Sequence, residues 1–245
     1  CYDREWEIPA VSLIVDYDDL LDEDTGIMVL GKSYDEWLKT DEAEEILKNK
    51  YWKAQANFTQ RGREWEREAI IEIRDQDTVI QENAGIRIKG NMSSYFPQKS
   101  FNIYFRKEYG CKALTYDLFG IGRTRITGFS LRGGGNETDG LKYKDSWLQD
   151  LLGGMSFSVQ ASRPCVVFIN GEYWGVYSLL ERYKKDYFAE HYGVSDPVVI
   201  KEFEEEIGDG MALYKELRDF AERDLCDEKT WQEFKDTVDM QSMAD

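Results

Sequence analysis

The chain has 245 residues, of which 42% are hydrophobic and 14% aromatic, and its formal net charge is −17. This length and composition are typical of a folded chain that buries a substantial core. The negative charge disfavours nucleic acid and anionic membrane surfaces as partners, because both are themselves negatively charged. No apolar run reaches the roughly 20 residues that a membrane-spanning helix needs. Any anion site is therefore expected to be a local basic pocket.

The first part of the chain predicts a strand, an acidic turn and a helical insertion. Residues 8–16, IPAVSLIVD, are apolar and predict a short strand. The following DYDDLLDEDTG resembles a calcium loop, but Leu20 and Leu21 occupy the positions where an EF-hand needs a polar residue and glycine. We interpret it as a solvated acidic turn. Residues 34–52 are rich in helix formers with an uneven apolar stripe and predict helix.

The middle of the chain predicts a sheet. Apolar and polar residues alternate with period two, the pattern of half-buried strands. Asn170-Gly171, between two apolar β-rich runs, predicts a hairpin with a type I′ turn. A short helix is expected at 142–152, ended by two glycines. The alternating segments are EAIIEIRD (68–75), GIRIK (85–89), FNIYF (101–105) and RITGFSLR (125–132).

Helical patterns follow the hairpin. Residues 181–193 predict a helix closed by Gly193, and two amphipathic segments come after it. Strands first and helices later are typical of α+β organisation. We predict an α+β fold, mainly an antiparallel β-sheet with flanking helices. The expected division is a β-rich domain over 1–195 and a helical segment over 196–245.

The segment GIRIKGNMSSYFPQKSFNIYF places basic residues around a small polar turn. Glycine permits close backbone approach, and the amide and hydroxyl groups add hydrogen-bond donors. Two interpretations stay open. The turn is either a cradle for an anion or a basic hairpin whose lysines neutralise neighbouring carboxylates. The residues concerned are Lys89, Gly90, Asn91, Ser93, Ser94 and Lys99.

Other catalytic motifs do not occur in the sequence. It has no GxxxxGK[ST], no GxGxxG and no GxSxG segment, so we assign a structural or surface role to the single histidine, His191. The four cysteines, Cys1, Cys111, Cys165 and Cys226, are scattered without a CxxC pair. Free thiols are expected rather than a zinc site, with one disulfide left open.

Three stretches together resemble the CotH family, named for spore coat protein H. They are FTQRGREWEREAIIEI, AGIRIKGNMSSYFPQKSFNIYF and RPCVVFINGEYWGVYSLLERYKKDYFAEHYG. Members of that family carry Gly-Ile-Arg-x-[RK]-Gly-x-x-Ser, then Pro-x-Lys-Ser, then Asn-Gly-x-x-x-Gly-Val-Tyr leading to a glutamate. All three elements occur here in that order, and the similarity covers most of residues 10–200.

The resemblance implies the N-terminal portion of an atypical protein kinase, with a β-rich N-lobe and ATP as the nucleotide. Gly90–Ser94 resembles the phosphate-covering loop, and Lys99 the lysine that holds the phosphates. Glu181 either lies near adenine or ribose or pairs with Lys99. The implied ATP-binding residues are Lys89, Gly90, Asn91, Ser93, Ser94, Lys99 and Glu181.

The same resemblance implies ATP with Mg²⁺ or Mn²⁺ and a Ser/Thr-rich protein substrate. It favours a bacterial cell-surface, extracellular or spore-coat location. The family's catalytic and metal-binding aspartates are expected after residue 245, so no catalytic or metal residue is assigned within the chain. Phosphoryl transfer relies on positioning and on metal-borne charge neutralisation.

The alternative function is a non-catalytic surface or coat module that binds a protein or a glycan. It is based on the many aromatic residues, which pack in a sheet or line a binding face. Those considered are Trp65, Trp147, Tyr173, Trp174 and Tyr177.

Overall fold

The computed structural model describes residues 6–137, 139–201 and 204–245. Several of its strands fall where apolar and polar residues alternate, and others are largely apolar. Within the described residues they are β1 (Ala10–Val15), β2 (Arg67–Asp75), β3 (Thr78–Lys89), β4 (Ser100–Tyr104), β5 (Leu114–Thr115), β6 (Arg125–Ile126), β7 (Gly128–Arg132), β8 (Ser162–Ile169), β9 (Glu172–Leu180), β10 (Val199–Lys201) and β11 (Glu204–Ile207).

Seven of these strands form a closed barrel in the order β1-β2-β3-β4-β7-β9-β8. Neighbouring strands are antiparallel except β1 and β8. That parallel pair runs from Ala10↔Val166 to Leu13↔Ile169 and closes the sheet. The remaining strands form the two-stranded sheets β5-β6 and β10-β11.

The predicted fold class is therefore wrong. We expected a mainly antiparallel sheet with flanking helices, as in a kinase N-lobe, and the structure has a closed mixed barrel. Closure pairs the backbone of the first strand with β8, so neither strand is left as an open edge. The period-two pattern shows which residues form strands but does not show that two distant strands pair.

An asparagine reinforces the closure. The predicted type I′ turn is confirmed, since Asn170 and Gly171 have φ of 49° and 84°. The Asn170 side chain also reaches β1. Its Oδ1 accepts from the Val15 N–H at 2.9 Å, and its Nδ2 donates to the Val15 carbonyl at 3.0 Å. One turn residue thus fixes the β8-β9 hairpin and ties it to the first strand.

The core lies inside the barrel and consists of alternate residues of its strands. Burial of each such side chain contributes about 1.5–3 kcal/mol. The side chains on the other face of the strands are mostly polar or charged. Buried core residues include Val11, Leu13, Ile71, Ile73, Ile86, Phe101, Ile103, Phe129, Leu131, Val167 and Leu179.

The helices of the described residues are short. The predicted helical insertion at 34–52 is helical, but it consists of separate short helices. The helical region between β1 and β2 also begins earlier than predicted, with α1 directly after β1. The helix expected at 142–152 is confirmed. The α-helices of the described residues are α1 (Tyr17–Leu21), α2 (Gly31–Trp37), α3 (Ala43–Asn49), α4 (Lys144–Leu152), α5 (Lys185–Tyr192), α6 (Met211–Ala221), α7 (Glu228–Thr237) and α8 (Met240–Ala244).

The chain divides into two compact units. One comprises the chain up to Leu148 together with Ala161–Glu181 and contains the barrel. The other comprises Gln149–Gln160 and Arg182–Asp245 and is largely helical. In that second unit His191 lies against the ring of Tyr187, with ring centroids 4.3 Å apart. The domain boundary expected at 195 stays a prediction.

Cys111, Cys165 and Cys226 are free thiols, and Cys1 lies outside the described residues. Burial raises the pKa of the Cys165 thiol, which makes it unreactive. Within the described ranges no helix has the length and apolar character to cross a membrane.

Candidate functional site

The polar turn between β3 and β4 forms a tight loop. A 3₁₀ turn, Met92–Tyr95, connects the two strands, which pair from Lys89↔Ser100 onward. Gly90 has φ of +113°, and a Cβ added there would lie 2.2 Å from the Ser93 hydroxyl oxygen. Both the backbone conformation and the close approach therefore require glycine.

Hydrogen bonds hold this loop in one conformation. The Ser94 hydroxyl donates to the Asn91 carbonyl at 2.7 Å, and the Ser94 N–H donates to the same oxygen at 3.1 Å. The Arg61 guanidinium donates to the Gly90 carbonyl. Ser94 is fully buried, so its role here is to close the turn. The loop is thus preformed rather than dependent on a ligand for its order.

An open pocket of about 370 Å³ lies beside the loop. Its described lining contains two cationic side chains and no carboxylate. In a chain with a net charge of −17 this is a local basic site. The described lining residues are Trp52, Lys89, Gly90, Asn91, Met92, Ser93, Ser100, Arg132, Gly135 and Asn136.

The two cations come from strands on either side of β4. The Lys89 ammonium donates to the Ser130 hydroxyl at 3.3 Å, and that hydroxyl donates to Asn102 Oδ1 at 2.8 Å. Arg132 Nη1 lies 3.2 Å from an oxygen of Asp145. A guanidinium has five N–H donors, so a single carboxylate contact leaves donor capacity for a bound anion.

Lys99 occupies a different environment. It is only 6% exposed, and its ammonium donates to the carbonyls of Ser94 at 2.6 Å and Phe96 at 3.3 Å. The nitrogen also lies 4.0 Å from the centroid of the Phe58 ring, a cation–π contact. Burial lowers the pKa of Lys99 to about 8. Its contacts support the loop from behind, and it is not among the residues that line the pocket.

A comparison with protein families agrees with the sequence motifs. The family described as CotH kinase protein matches residues 86–242. The chain belongs to the CotH kinase family. A comparison with curated proteins finds no significant match. The predicted family membership is confirmed, and the matched range begins in β3 just before the loop.

The expected site residues of this CotH chain thus separate into three groups. Lys89, Gly90, Asn91 and Ser93 line the pocket. Ser94 and Lys99 hold the loop from its buried side. Glu181 belongs to neither group.

Glu181 is buried at the end of β9 and is 1% exposed. Its Oε1 lies 2.7 Å from Arg123 Nη1, and its Oε2 accepts from the Ala161 N–H at 2.9 Å. Glu181 thus forms a salt bridge with Arg123, and the Lys99 ammonium donates to the carbonyls of Ser94 and Phe96. Breaking a buried ion pair by removal of one partner is strongly destabilising.

Arg132 and Trp52 line the pocket but are not among the site residues predicted from the sequence. Arg132 lies two residues after Ser130 on the outward face of β7, and the buried Phe129 and Leu131 alternate with it. The alternation itself was a usable signal, because it places the arginine outside the barrel. Its proximity to Lys89 depends on β4 pairing with both β3 and β7. Nothing in the local sequence near Trp52 indicates a pocket.

Possible metal ligands among the described residues are not clustered. They include no group of three or more His, Cys, Asp or Glu side chains placed to hold an ion. This also holds for the carboxylates of the acidic turn after β1, which form no such group. The residues of the loop pocket fit an anion, and they do not by themselves fit a divalent cation.

Proposed function

We propose that this chain binds ATP with its phosphates in the loop pocket, as the nucleotide-binding part of a CotH kinase domain. The complete domain would transfer phosphate to Ser or Thr of surface or coat proteins, with Mg²⁺ or Mn²⁺. One observation carries the proposal. A preformed glycine-containing loop lies beside two cations in a pocket whose described lining has no carboxylate, within a strongly acidic chain.

Each lining group has a role suited to phosphate. Lys89 supplies a compact positive charge, and Arg132 supplies a planar fork that matches phosphate oxygens. Gly90 lets the backbone approach closely, and Asn91 and Ser93 add polar donors. Trp52 offers an aromatic face at the pocket wall on which the adenine ring of ATP would stack.

In this proposal the described residues bind and orient the nucleotide. Electrostatic positioning of the phosphates is the main contribution that a protein makes to phosphoryl transfer. We assign neither the catalytic base nor the metal ligands to any described residue. Lys99 is assigned the support of the loop rather than a phosphate contact.

Calorimetric titration with a non-hydrolysable ATP analogue tests the binding step. Lys89→Met and Arg132→Met should each weaken binding by about 10- to 100-fold, since a charge-assisted hydrogen bond contributes roughly 1.5–3 kcal/mol. The matched control is Lys112→Met, which removes an exposed lysine that does not line the pocket. It should change the affinity less than about twofold, because an exposed charge outside the pocket is screened by solvent.

Two outcomes would contradict the proposal. The first is equal weakening by all three substitutions, which would indicate a general charge effect. The second is oligosaccharide binding in the same assay without nucleotide binding, which would favour a non-catalytic surface module. The transfer step needs its own assay, in which the full-length protein labels a Ser-rich protein with ATP and Mg²⁺ or Mn²⁺.

A further inference from the structure

A second open pocket, of about 400 Å³, lies in the barrel-containing unit among residues that follow β1. Its lining does not overlap that of the loop pocket. Leu21 is 42% exposed and Leu30 is 46% exposed, so apolar surface here faces solvent. The apolar wall consists of Leu21, Val29, Leu30 and Tyr34, and carboxylates stand at Glu23 and Asp35.

Buried hydrogen bonds preform this pocket. Asn57 is 1% exposed, and its Nδ2 donates to the carbonyls of Glu23 at 2.9 Å and Gly26 at 3.2 Å. Its Oδ1 accepts from the Ser33 N–H at 3.3 Å. A single buried amide thus joins the segment after α1 to the start of α2. A preformed pocket lowers the ordering cost that the protein itself contributes to binding.

The tight join also explains a glycine. Gly31 has φ of +61°, and a Cβ there would lie 2.1 Å from Asn57 Nδ2. Gly31 therefore lets the start of α2 approach Asn57 more closely than any other residue type would allow.

The surroundings are strongly negative. Residues 16–36 contain eight Asp or Glu and one Lys. That lysine, Lys32, lies 3.4 Å from Asp24, and Arg67 lies 3.4 Å from Asp19. These pairs leave most of the acidic charge around the pocket in excess. A field of this sign attracts cationic partners over about one Debye length, ~10 Å in ordinary buffers.

We propose that this pocket docks a basic peptide segment of a partner protein. An aliphatic side chain of the segment would occupy the apolar wall, and flanking Lys or Arg side chains would lie against Glu23 and Asp35. The two parts of the site select for this combination. The exposed leucines favour an apolar side chain, and the carboxylates reject an acidic neighbour by like-charge repulsion. The inference is independent of the nucleotide proposal, because the two pockets share no lining residue.

The test uses isothermal titration of the whole chain with the acetylated peptide Gly-Lys-Arg-Leu-Lys-Lys-Gly. We expect a dissociation constant of roughly 10–500 μM, typical of a small site. Raising NaCl from about 25 mM to about 300 mM should weaken binding several-fold, because exposed charges are screened. A second peptide with serine in place of leucine should bind at least about fivefold more weakly, because it loses the apolar contact.

Two protein variants test the two halves of the site. Asp35→Lys should weaken binding about tenfold or more, and Leu21→Ser about fivefold, through charge reversal and lost apolar contact respectively. Both side chains are exposed, so both variants are expected to fold. The matched control is Asp77→Lys. It makes the same change in net charge at the exposed β2-β3 turn, at the other end of β2 from the residues that pair with Val15.

The outcomes are decisive in either direction. Weakening by Asp35→Lys and Leu21→Ser with an unchanged Asp77→Lys affinity supports the site. Equal weakening by Asp77→Lys would mean that the peptide senses only the overall charge, and the proposal would be wrong. Equal affinity for the serine peptide, or no heat of binding at about 1 mM peptide, would also overturn it, since either result removes the apolar pocket from recognition.

Discussion

Replacing Lys99 with methionine should change the way in which the stability of the barrel depends on pH. The Lys99 side chain is buried, and its ammonium contacts two backbone carbonyls and an aromatic face. Burial lowers its pKa to about 8, from an ordinary value of 10.5. Methionine has a similar length and no charge, so the substitution removes the titration while filling most of the same space.

The sign follows from proton linkage. Between about pH 8 and pH 10.5 the unfolded chain holds the Lys99 proton more tightly than the folded chain does. The wild-type protein therefore gains stability as pH rises through this window. At ~1.4 kcal/mol for each pH unit, the full difference is ~3 kcal/mol. The part that falls between about pH 7 and about pH 9.5 is ~2 kcal/mol.

Urea unfolding at both pH values, followed by tryptophan fluorescence, measures the effect. The quantity of interest is the difference in unfolding free energy between wild type and Lys99→Met. Other titrating groups cancel in that difference, which should move by ~2 kcal/mol towards the wild type at the higher pH. The exposed Lys112→Met variant should show no such movement. A constant difference for Lys99→Met would refute the reasoning, and would point to an ammonium in water, as on a phosphate-facing surface.

Three further substitutions test the described geometry. Gly90→Ala should abolish binding of the ATP analogue. Gly110 also has positive φ but has open space around it, so Gly110→Ala should lower the unfolding free energy by about 1–3 kcal/mol and leave binding intact. Asn170→Gly should lower the unfolding free energy by about 1–2 kcal/mol through the lost bonds to β1, and Asn170→Ala by more, because alanine also disfavours φ of 49°. If the two asparagine variants were equally stable in urea, the positive φ would have no measurable effect. Glu181→Ala should cost about 3–5 kcal/mol, because it removes a buried carboxylate that contacts Arg123 and accepts from the Ala161 N–H. Glu181→Ala combined with Arg123→Met should recover part of that loss in thermal unfolding.

The local structure of the barrel strands could be predicted from the sequence. Alternation in EAIIEIRD and FNIYF identifies β2 and β4, because a half-buried strand exposes every second side chain. The Asn170-Gly171 pair identifies the hairpin, because both positions adopt the positive φ that a type I′ turn needs. These are short-range effects, and the residues that cause them are neighbours in the chain.

The two lysines beside the loop lie on opposite faces of the sheet. Lys99 has the same strand parity as the buried Phe101 and Ile103, so the alternation places it on the inward face. Lys89 has the opposite parity to Ile86 and Ile88 and lies on the outer face. The family resemblance implied a phosphate role for Lys99, whereas the structure places Lys89 in the pocket lining and Lys99 on the buried side of the loop.

By itself, the sequence determined the family, most strands of the barrel, the hairpin and the presence of a tight basic loop. Tertiary structure alone decided that the sheet closes and that Arg132 lies beside Lys89. It also decided that the acidic segment after β1 borders an apolar pocket. The physical reason is the same in each case. Closure pairs Ala10 with Val166, the loop pocket joins residues from separate strands and turns, and Asn57 holds together the segment that lines the second pocket. Such contacts depend on the packing of the whole barrel, and no local pattern of side chains records them.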